Sequence, residues 1–197
     1  MNNPHPTRSS TALFERVTVG AFDLANRMVM APLTRNRAGP GLVPGAFAAE
    51  YYGQRASAGL IIAEATQVSA QAQGYSDTPG CYSDAQVRGW RKVTDAVHAQ
   101  DGTIVLQLWH TGRVSHTTFQ MDGQAPVGPS AIRANTQTFI AGQGFVDVSM
   151  PRALDLTDIP GIVEGAACCG RRGGCGLGAC PPGNFGGVRP PEEWWVL

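Results

Sequence analysis

Three short apolar runs, at residues 27–31 (Arg-Met-Val-Met-Ala), 60–65 (Leu-Ile-Ile-Ala-Glu-Ala) and 103–109 (Thr-Ile-Val-Leu-Gln-Leu-Trp), alternate with stretches of helical periodicity. Runs of this length, bounded by turn residues, suit strands buried on both faces. Between the first two, residues 46–58 read as a helix, with Phe47, Tyr51 and Ala58 on one face and Gly59 as the C-terminal stop. Between the second and third, Ser83-Asp-Ala-Gln86 has capping-box spacing and opens a helix striped by Val87, Trp90, Thr94 and Val97, ending near Asp101-Gly102. Strand, helix, strand, helix, strand implies parallel strands with crossover helices. Alternation alone does not separate a barrel from an open doubly wound sheet, but no Gly-rich phosphate turn follows the first strand, which weighs against a dinucleotide fold.

The remaining segments are less regular. Val17, Val19 and Phe22 around Gly20 predict a short hairpin. Residues 67–80 read as a long loop, and 110–152 as a polar, Gly- and Pro-containing excursion. Leu154, Ile159, Ile162 and Val163, with Thr157 as cap, open another helix. From Gly165 the apolar periodicity stops, which leaves that helix barely two turns. The chain is therefore divided into 1–164, the opening βα units of a barrel, and 165–197, a disordered or frameshift-derived tail. Gly, Arg, Ala, Pro, Cys and Trp dominate that tail, as GC-rich codons read in a shifted frame would produce. Its cysteines, Cys168, Cys169, Cys175 and Cys180, lack the usual zinc pairing, so no metal site is expected. Gly174-Cys-Gly-Leu-Gly-Ala179 matches a dinucleotide string, but it follows no strand and Pro181-Pro182 blocks the helix it would open.

The formal net charge is zero, with 15 basic and 15 acidic residues. That excludes the electrostatic footprint of a nucleic-acid or anionic-membrane binder. No apolar run approaches the ~20 residues of a membrane span, and the polar N-terminus lacks a secretory core. With Cys81 the one cysteine before residue 165, the body reads as reduced and cytoplasmic.

Barrel active sites form where strands end. The three strand ends carry Ala31-Pro-Leu-Thr-Arg35, Ala63-Glu-Ala-Thr66 and Gln107-Leu-Trp-His-Thr-Gly-Arg113. The Thr34 hydroxyl can donate to a carbonyl, and the Gln107 carboxamide both donates and accepts. Together they suit a ring edge with adjacent C=O and N–H groups, such as a flavin pyrimidine. Ala65 lets backbone approach a flat ring, and Tyr75 and Trp109 can wall a pocket. A strand Gln is also commonly a satisfied core amide, and a Thr after a strand commonly a cap.

Met30-Ala-Pro-Leu-Thr-Arg35, Glu50-Tyr-Tyr-x-Gln-Arg-Ala-Ser-Ala-Gly-Leu-Ile-Ile-Ala-Glu-Ala-Thr-Gln67, Gly74-Tyr75, Pro79-Gly80, Gln107-Leu-Trp-His-Thr-Gly-Arg-Val-Ser-His116 and Asp158-Ile-Pro-Gly-Ile-Val163 resemble the Old Yellow Enzyme family, most closely its bacterial pentaerythritol tetranitrate reductase and N-ethylmaleimide reductase branch. The resemblance covers nearly everything to Glu164. It implies an FMN-containing (β/α)₈ TIM barrel that takes hydride from NADH or NADPH and passes it to small molecules with an activated C=C or nitro group, or to nitrate esters. It implies that Thr34 and Gln107 bond the flavin, that Pro32 and Ala65 lie against its ring, and that Tyr75 and Trp109 line the substrate pocket. The family's substrate-anchoring His pair, proton-donor Tyr and FMN phosphate loops have no counterpart here; no Tyr follows Tyr82. The expectation is a truncated oxidoreductase with little FMN binding and no turnover by itself. The alternative is a non-catalytic barrel fragment serving as an interaction or metal-binding module.

Overall fold

A computed structural model describes residues 10–174. The chain opens with an antiparallel hairpin, β1 (Val17–Val19) and β2 (Phe22–Leu24), turned at Gly20 with φ 57°. Next come β3 (Val29–Met30), α1 (Ala48–Gly53), β4 (Leu60–Gln67), α2 (Asp84–His98) and β5 (Ile104–Trp109). β3, β4 and β5 form one parallel sheet in that spatial order, with β4 central. Each crossover is a helix on the same side of the sheet. The anticipated β/α progression is thus present, as the first staves of a barrel wall.

The helix-side core joins α1, α2 and the sheet. Tyr52, Ala56, Trp90, Val93 and Val97 pack on Ile61 and Ala63, with Ile104, Leu106 and Leu108 of β5 against the same cluster. The α2 cap forms as the spacing predicts: the Ser83 hydroxyl accepts from the Gln86 amide at 3.3 Å and the Gln86 carboxamide accepts from the Ser83 amide at 3.0 Å. Its buried stripe is Val87, Trp90, Val93 and Val97, so Val93 takes the place expected for Thr94.

Three local expectations give way to tertiary constraints. The run at 27–31 contributes two ladder residues and is not buried on both faces: Val29 is 51% exposed, because β3 is an edge strand with β4 on one side alone. Phe47 does not share a buried face; it precedes α1 at 78% exposure, and Tyr52 enters the core instead. The C-terminal helix does not stop at 164. α3 (Ile159–Gly174) runs on, since Ala166 packs on the core and Cys169 is buried within it beside Cys81. Packing of that face overrides the glycine-rich composition that predicted irregular chain from 165. The last expected tail features, Cys175, Cys180 and the dinucleotide-like string beyond Gly174, lie outside the described residues.

The excursion after β5 holds two small sheets. β6 (Val127–Gly128) pairs in parallel with β9 (Arg152–Ala153), and β7 (Gln137–Ile140) and β8 (Gly144–Asp147) form a hairpin. At the start of α3, the Asp158 carboxylate accepts from Arg152 at 2.8 Å and from the Asp155 amide at 3.0 Å. The Arg152 hydrogen bond, then the Asp155 amide, hold its pKa below the ordinary carboxylate value.

Asn26 ties the entry of β3 to the entry of β4. Its amide donates to the Ser57 carbonyl at 2.8 Å, and its oxygen accepts from Met28 N–H at 3.0 Å and Gly59 N–H at 2.8 Å. A Cβ on Gly59 would lie 2.0 Å from the Asn26 carbonyl oxygen, so only glycine permits this approach. Asn26→Ala leaves the buried Gly59 N–H and the more exposed Met28 N–H and Ser57 carbonyl without their partner, and is expected to cost about 1–3 kcal/mol of unfolding free energy. Urea denaturation of both proteins checks this; a difference within ~0.5 kcal/mol would refute the role given to Asn26.

Candidate functional site at the strand ends

The segment after β3 is held in place by one buried ion pair. Residues 31–38 have no regular structure. Arg35 nevertheless lies along β4, because its Nε donates to the Glu64 carboxylate at 2.8 Å, its Nη2 at 2.5 Å and its backbone N–H at 3.3 Å. Glu64 is 3% exposed, and its own N–H donates to the Tyr52 hydroxyl at 2.9 Å. The guanidinium carbon sits 4.2 Å from the Tyr51 ring centre and 4.9 Å from that of Tyr52. Burial, reinforced by the Glu64 charge, raises the Tyr52 phenol well above its ordinary pKa. That phenol stays neutral as a hydrogen-bonding wall of the cage. Asn36, at φ 53°, adds a second tether by donating to the Ser76 carbonyl at 2.8 Å.

The clamp sets the level of the preceding residue. Thr34 precedes Arg35, and Ala65 follows Glu64, whose carboxylate Arg35 grips. Ala65 is in turn the register partner of Gln107. Pro32, Thr34, Ala65 and Gln107 therefore all fall at the C-terminal ends of three adjacent parallel strands. A register shift between Ala63 and Ala65 produces the alignment by placing one extra β4 residue, Glu64, in the ladder. Along β5, Ile104, Leu106 and Leu108 face the helix-side core, so Val105, Gln107 and Trp109 line the opposite face.

The two strand glutamines differ in a way that matters. Gln67 is fully buried and satisfied, donating to the Thr78 carbonyl at 3.0 Å and accepting from the Thr78 hydroxyl at 3.4 Å. Gln107 is half-buried, and its carboxamide has no hydrogen-bond partner among the described residues; neither has the exposed Thr34 hydroxyl. These are unspent polar groups at one level of one sheet.

Tyr75 and Trp109 come together as a stacked pair, ring centres 5.5 Å apart and planes 14° from parallel. The loops after β4 and β5 are laced to produce that contact. The Thr111 hydroxyl donates to the Ala72 carbonyl at 3.0 Å, Ser115 to the Gln73 carbonyl at 2.5 Å, and Thr138 of the β7–β8 hairpin to the Gly74 carbonyl at 2.8 Å. Gly74 is obligatory here, since a Cβ would stand 2.1 Å from the Val114 carbonyl oxygen. Beyond the stack, Trp109 Nε1 and His110 Nε2 are buried with no partner among the described residues. His110 Nδ1 accepts the Gly112 N–H at 3.0 Å, which assigns the neutral ring's proton to Nε2. The strand-end face thus offers a hydroxyl and a carboxamide, with two buried N–H groups behind it, and no metal-ligating cluster of three His, Cys, Asp or Glu occurs among the described residues. That donor set fits a flat heteroaromatic with carbonyl acceptors, such as a flavin, better than a cation. An open groove lined by Ala49, Gln54, Ala96 and Gln100 lies on the helical layer and has no part in this face.

Sequence reasoning missed the Arg35–Glu64–Tyr52 cage and the orphaned His110. The first carries no spacing rule, as its members come from a loop, a bulge and a helix. Removing one member of the buried pair, as in Glu64→Ala, leaves the Arg35 charge uncompensated and is expected to cost about 3–5 kcal/mol in urea unfolding at neutral pH; a loss under ~1 kcal/mol would contradict the clamp. Burial lowers the His110 pKa from its ordinary 6.5. Since the folded state resists protonation, its stability is full above that value and declines as pH falls below it. His110→Asn, which keeps an acceptor for Gly112, should lessen the stability lost between about pH 7 and pH 5.5. An unchanged slope would show that another group controls the acid limb.

Comparison with known proteins agrees with this geometry. The sequence model of the NADH:flavin oxidoreductase / NADH oxidase family matches residues 12–173. The chain is 46% identical over 164 residues to the putative 12-oxophytodienoate reductase 11 of Oryza sativa subsp. japonica, covering 79% of this chain and 43% of the relative. It is 43% identical over 158 residues to 12-oxophytodienoate reductase 2 of Arabidopsis thaliana, covering 80% and 42%. Among solved structures, morphinone reductase superposes with TM-score 0.78 at 51% identity, over 83% of this chain and 46% of that one. The old yellow enzyme homologue from Zymomonas mobilis superposes with TM-score 0.77 at 43% identity, over 82% and 44%. The chain thus spans less than half the length of these relatives. Its match reaches residue 173, consistent with the continued α3. By sequence and by the arrangement of its strands, the chain belongs to the NADH:flavin oxidoreductase / NADH oxidase family.

Proposed function

We propose that the chain supplies the opening part of an FMN-dependent NAD(P)H oxidoreductase of the ene-reductase type. The observation that carries this reading is the register pairing of Ala65 with Gln107 beside the Arg35-tethered segment that carries Thr34, with the Thr34 and Gln107 polar groups unpaired among the described residues. When bound, FMN would provide the hydride relay between NADH or NADPH and a small substrate with an activated C=C or nitro group. The roles of the chain's own residues follow from their chemistry. Thr34 donates its hydroxyl proton to a flavin carbonyl. Gln107 donates and accepts along the pyrimidine edge. Pro32 and Ala65 offer low, apolar contacts to the ring, and Tyr75 with Trp109 walls the substrate side. The relatives support the substrate class: they are reductases of 12-oxophytodienoate and of morphinone, and morphinone reductase has been solved with tetrahydroNAD.

Phosphate binding and compensation of ring charge require groups beyond those at these strand ends. The 197-residue chain alone is therefore expected to hold FMN weakly and to show no turnover. The test is a chimera in which residues 12–164 replace the matching segment of morphinone reductase. It should purify with a visible flavin band. Thr34→Ala or Gln107→Ala in that background should weaken FMN binding about tenfold, the worth of one hydrogen bond. A folded chimera without flavin, or one indifferent to both substitutions, would overturn the assignment.

A further inference from the structure

Cys81 and Cys169 are joined across 88 residues of sequence, with Cα atoms 5.5 Å apart. Both are buried, at 2% and 1% exposure, inside the helix-side core. Cys81 lies just before α2, beside the end of β4: its N–H donates to the Gln67 carbonyl at 3.1 Å, and its sulfur lies 3.5 Å from the same oxygen. The Cys169 sulfur lies 3.5 Å from the next carbonyl, that of Val68. The bond therefore runs from the segment before α2, where it is hydrogen-bonded to the end of the central strand, to α3.

α3 is a helix in need of such an anchor. It carries Gly161, Gly165 and Gly170 along its length, residues that favour the unfolded chain. Cys169 is its one fully buried side chain among the described residues. We propose that the Cys81–Cys169 pair is a reversible covalent staple that locks α3 onto the sheet under oxidising conditions and releases it under reducing ones. This inference does not depend on flavin binding.

The chemistry balances with a small-molecule disulfide, such as glutathione disulfide, as oxidant. While α3 is transiently open, one cysteine thiolate attacks the reagent and expels one thiolate. The second cysteine then attacks the mixed disulfide and expels the other. Two protein thiols give up two electrons and two protons, and two small-molecule thiols form. Excess of the same thiol reverses both steps. A cross-link closing an 88-residue loop restricts the unfolded chain strongly, so a poorly helical segment gains most from it.

The full 197-residue chain, equilibrated in glutathione buffers of graded ratio, alkylated and digested without reduction, should yield a Cys81–Cys169 linked peptide that grows with the oxidised fraction and vanishes in excess thiol. Amides over residues 159–171 should exchange about tenfold or more slowly in the oxidised form. Cys81→Ser and Cys169→Ser should abolish that difference, and Cys168→Ser should keep it. Linkage of Cys81 to Cys168, Cys175 or Cys180, alkylation of both thiols at every ratio, or equal exchange in the two forms would each overturn the staple. If a serine variant fails to fold, the comparison of oxidised and reduced wild type decides the matter by itself.

Discussion

The contact between the Arg35 guanidinium and the Glu64 carboxylate governs where the first strand's continuation lies. β3 contributes only Val29 and Met30 to the ladder, too little to aim the residues that follow. Glu64 takes over as a template, gripping Arg35 by side chain and backbone at once. Desolvating both charges costs much of what their attraction returns, so the pair adds little net stability. Its effect is positional. An arginine shifted by one residue would leave the carboxylate buried without a cation, and the shift would move Thr34 away from the level of Ala65. The tyrosine faces around the guanidinium sharpen that preference by accepting a cation and offering no alternative anion.

How much of this was legible in the sequence depended on the range of the interactions. α2 was readable because its cap and stripe are local: Ser83, Gln86, Trp90 and Val97 sit on one helix and report to one another. β4 was readable because it is central, and an apolar run there meets the burial its composition suggests. β3 has the same composition but sits at an edge, and no one-dimensional pattern distinguishes the two. Phe47 sits just before α1 and stays exposed, while Tyr52, inside α1, enters the core against Trp90 of α2. The continuation of α3 rests on Cys169 reaching Cys81, a contact across 88 residues that glycine content could not reveal. The β7–β8 hairpin had a readable turn, with Gly142 and Gly144 at φ 82° and 81°, yet lay within a stretch read only as polar excursion.

The candidate site shows the same division. Residue types at strand ends point to Thr34, Ala65, Gln107 and Trp109 as candidates, and the loop aromatic Tyr75 stacks on the last of them. They could not separate Gln107 from Gln67, since both are amides in apolar strands. The difference lies in Thr78, which the loop after β4 folds back to meet Gln67, while no loop returns to Gln107. His110 carries no sequence signal of its own beyond its place after β5. Its relevance comes from an N–H proton left buried after Gly112 has taken the other ring nitrogen.

The two faces of the sheet complete the account. On one, α1 and α2 bury Ile61 and Ala63 and partly cover Ile104, Leu106 and Leu108, and the Glu64 N–H and Trp90 Nε1 are paired. On the other lie Val105, Gln107 and Trp109, with every β5 residue only half-buried and Leu33 57% exposed after β3. Parallel strands joined by crossover helices are stable when both faces are covered. The bare face combines apolar surface in need of cover with donors in need of acceptors. An aliphatic cover alone would bury the Gln107 carboxamide unpaired, at a cost of about 1–3 kcal/mol. Water alone would leave the apolar surface exposed. A flat ring bearing carbonyl groups would meet both demands, which favours the sheet's uncovered face over the groove between its helices for the flavin proposed above.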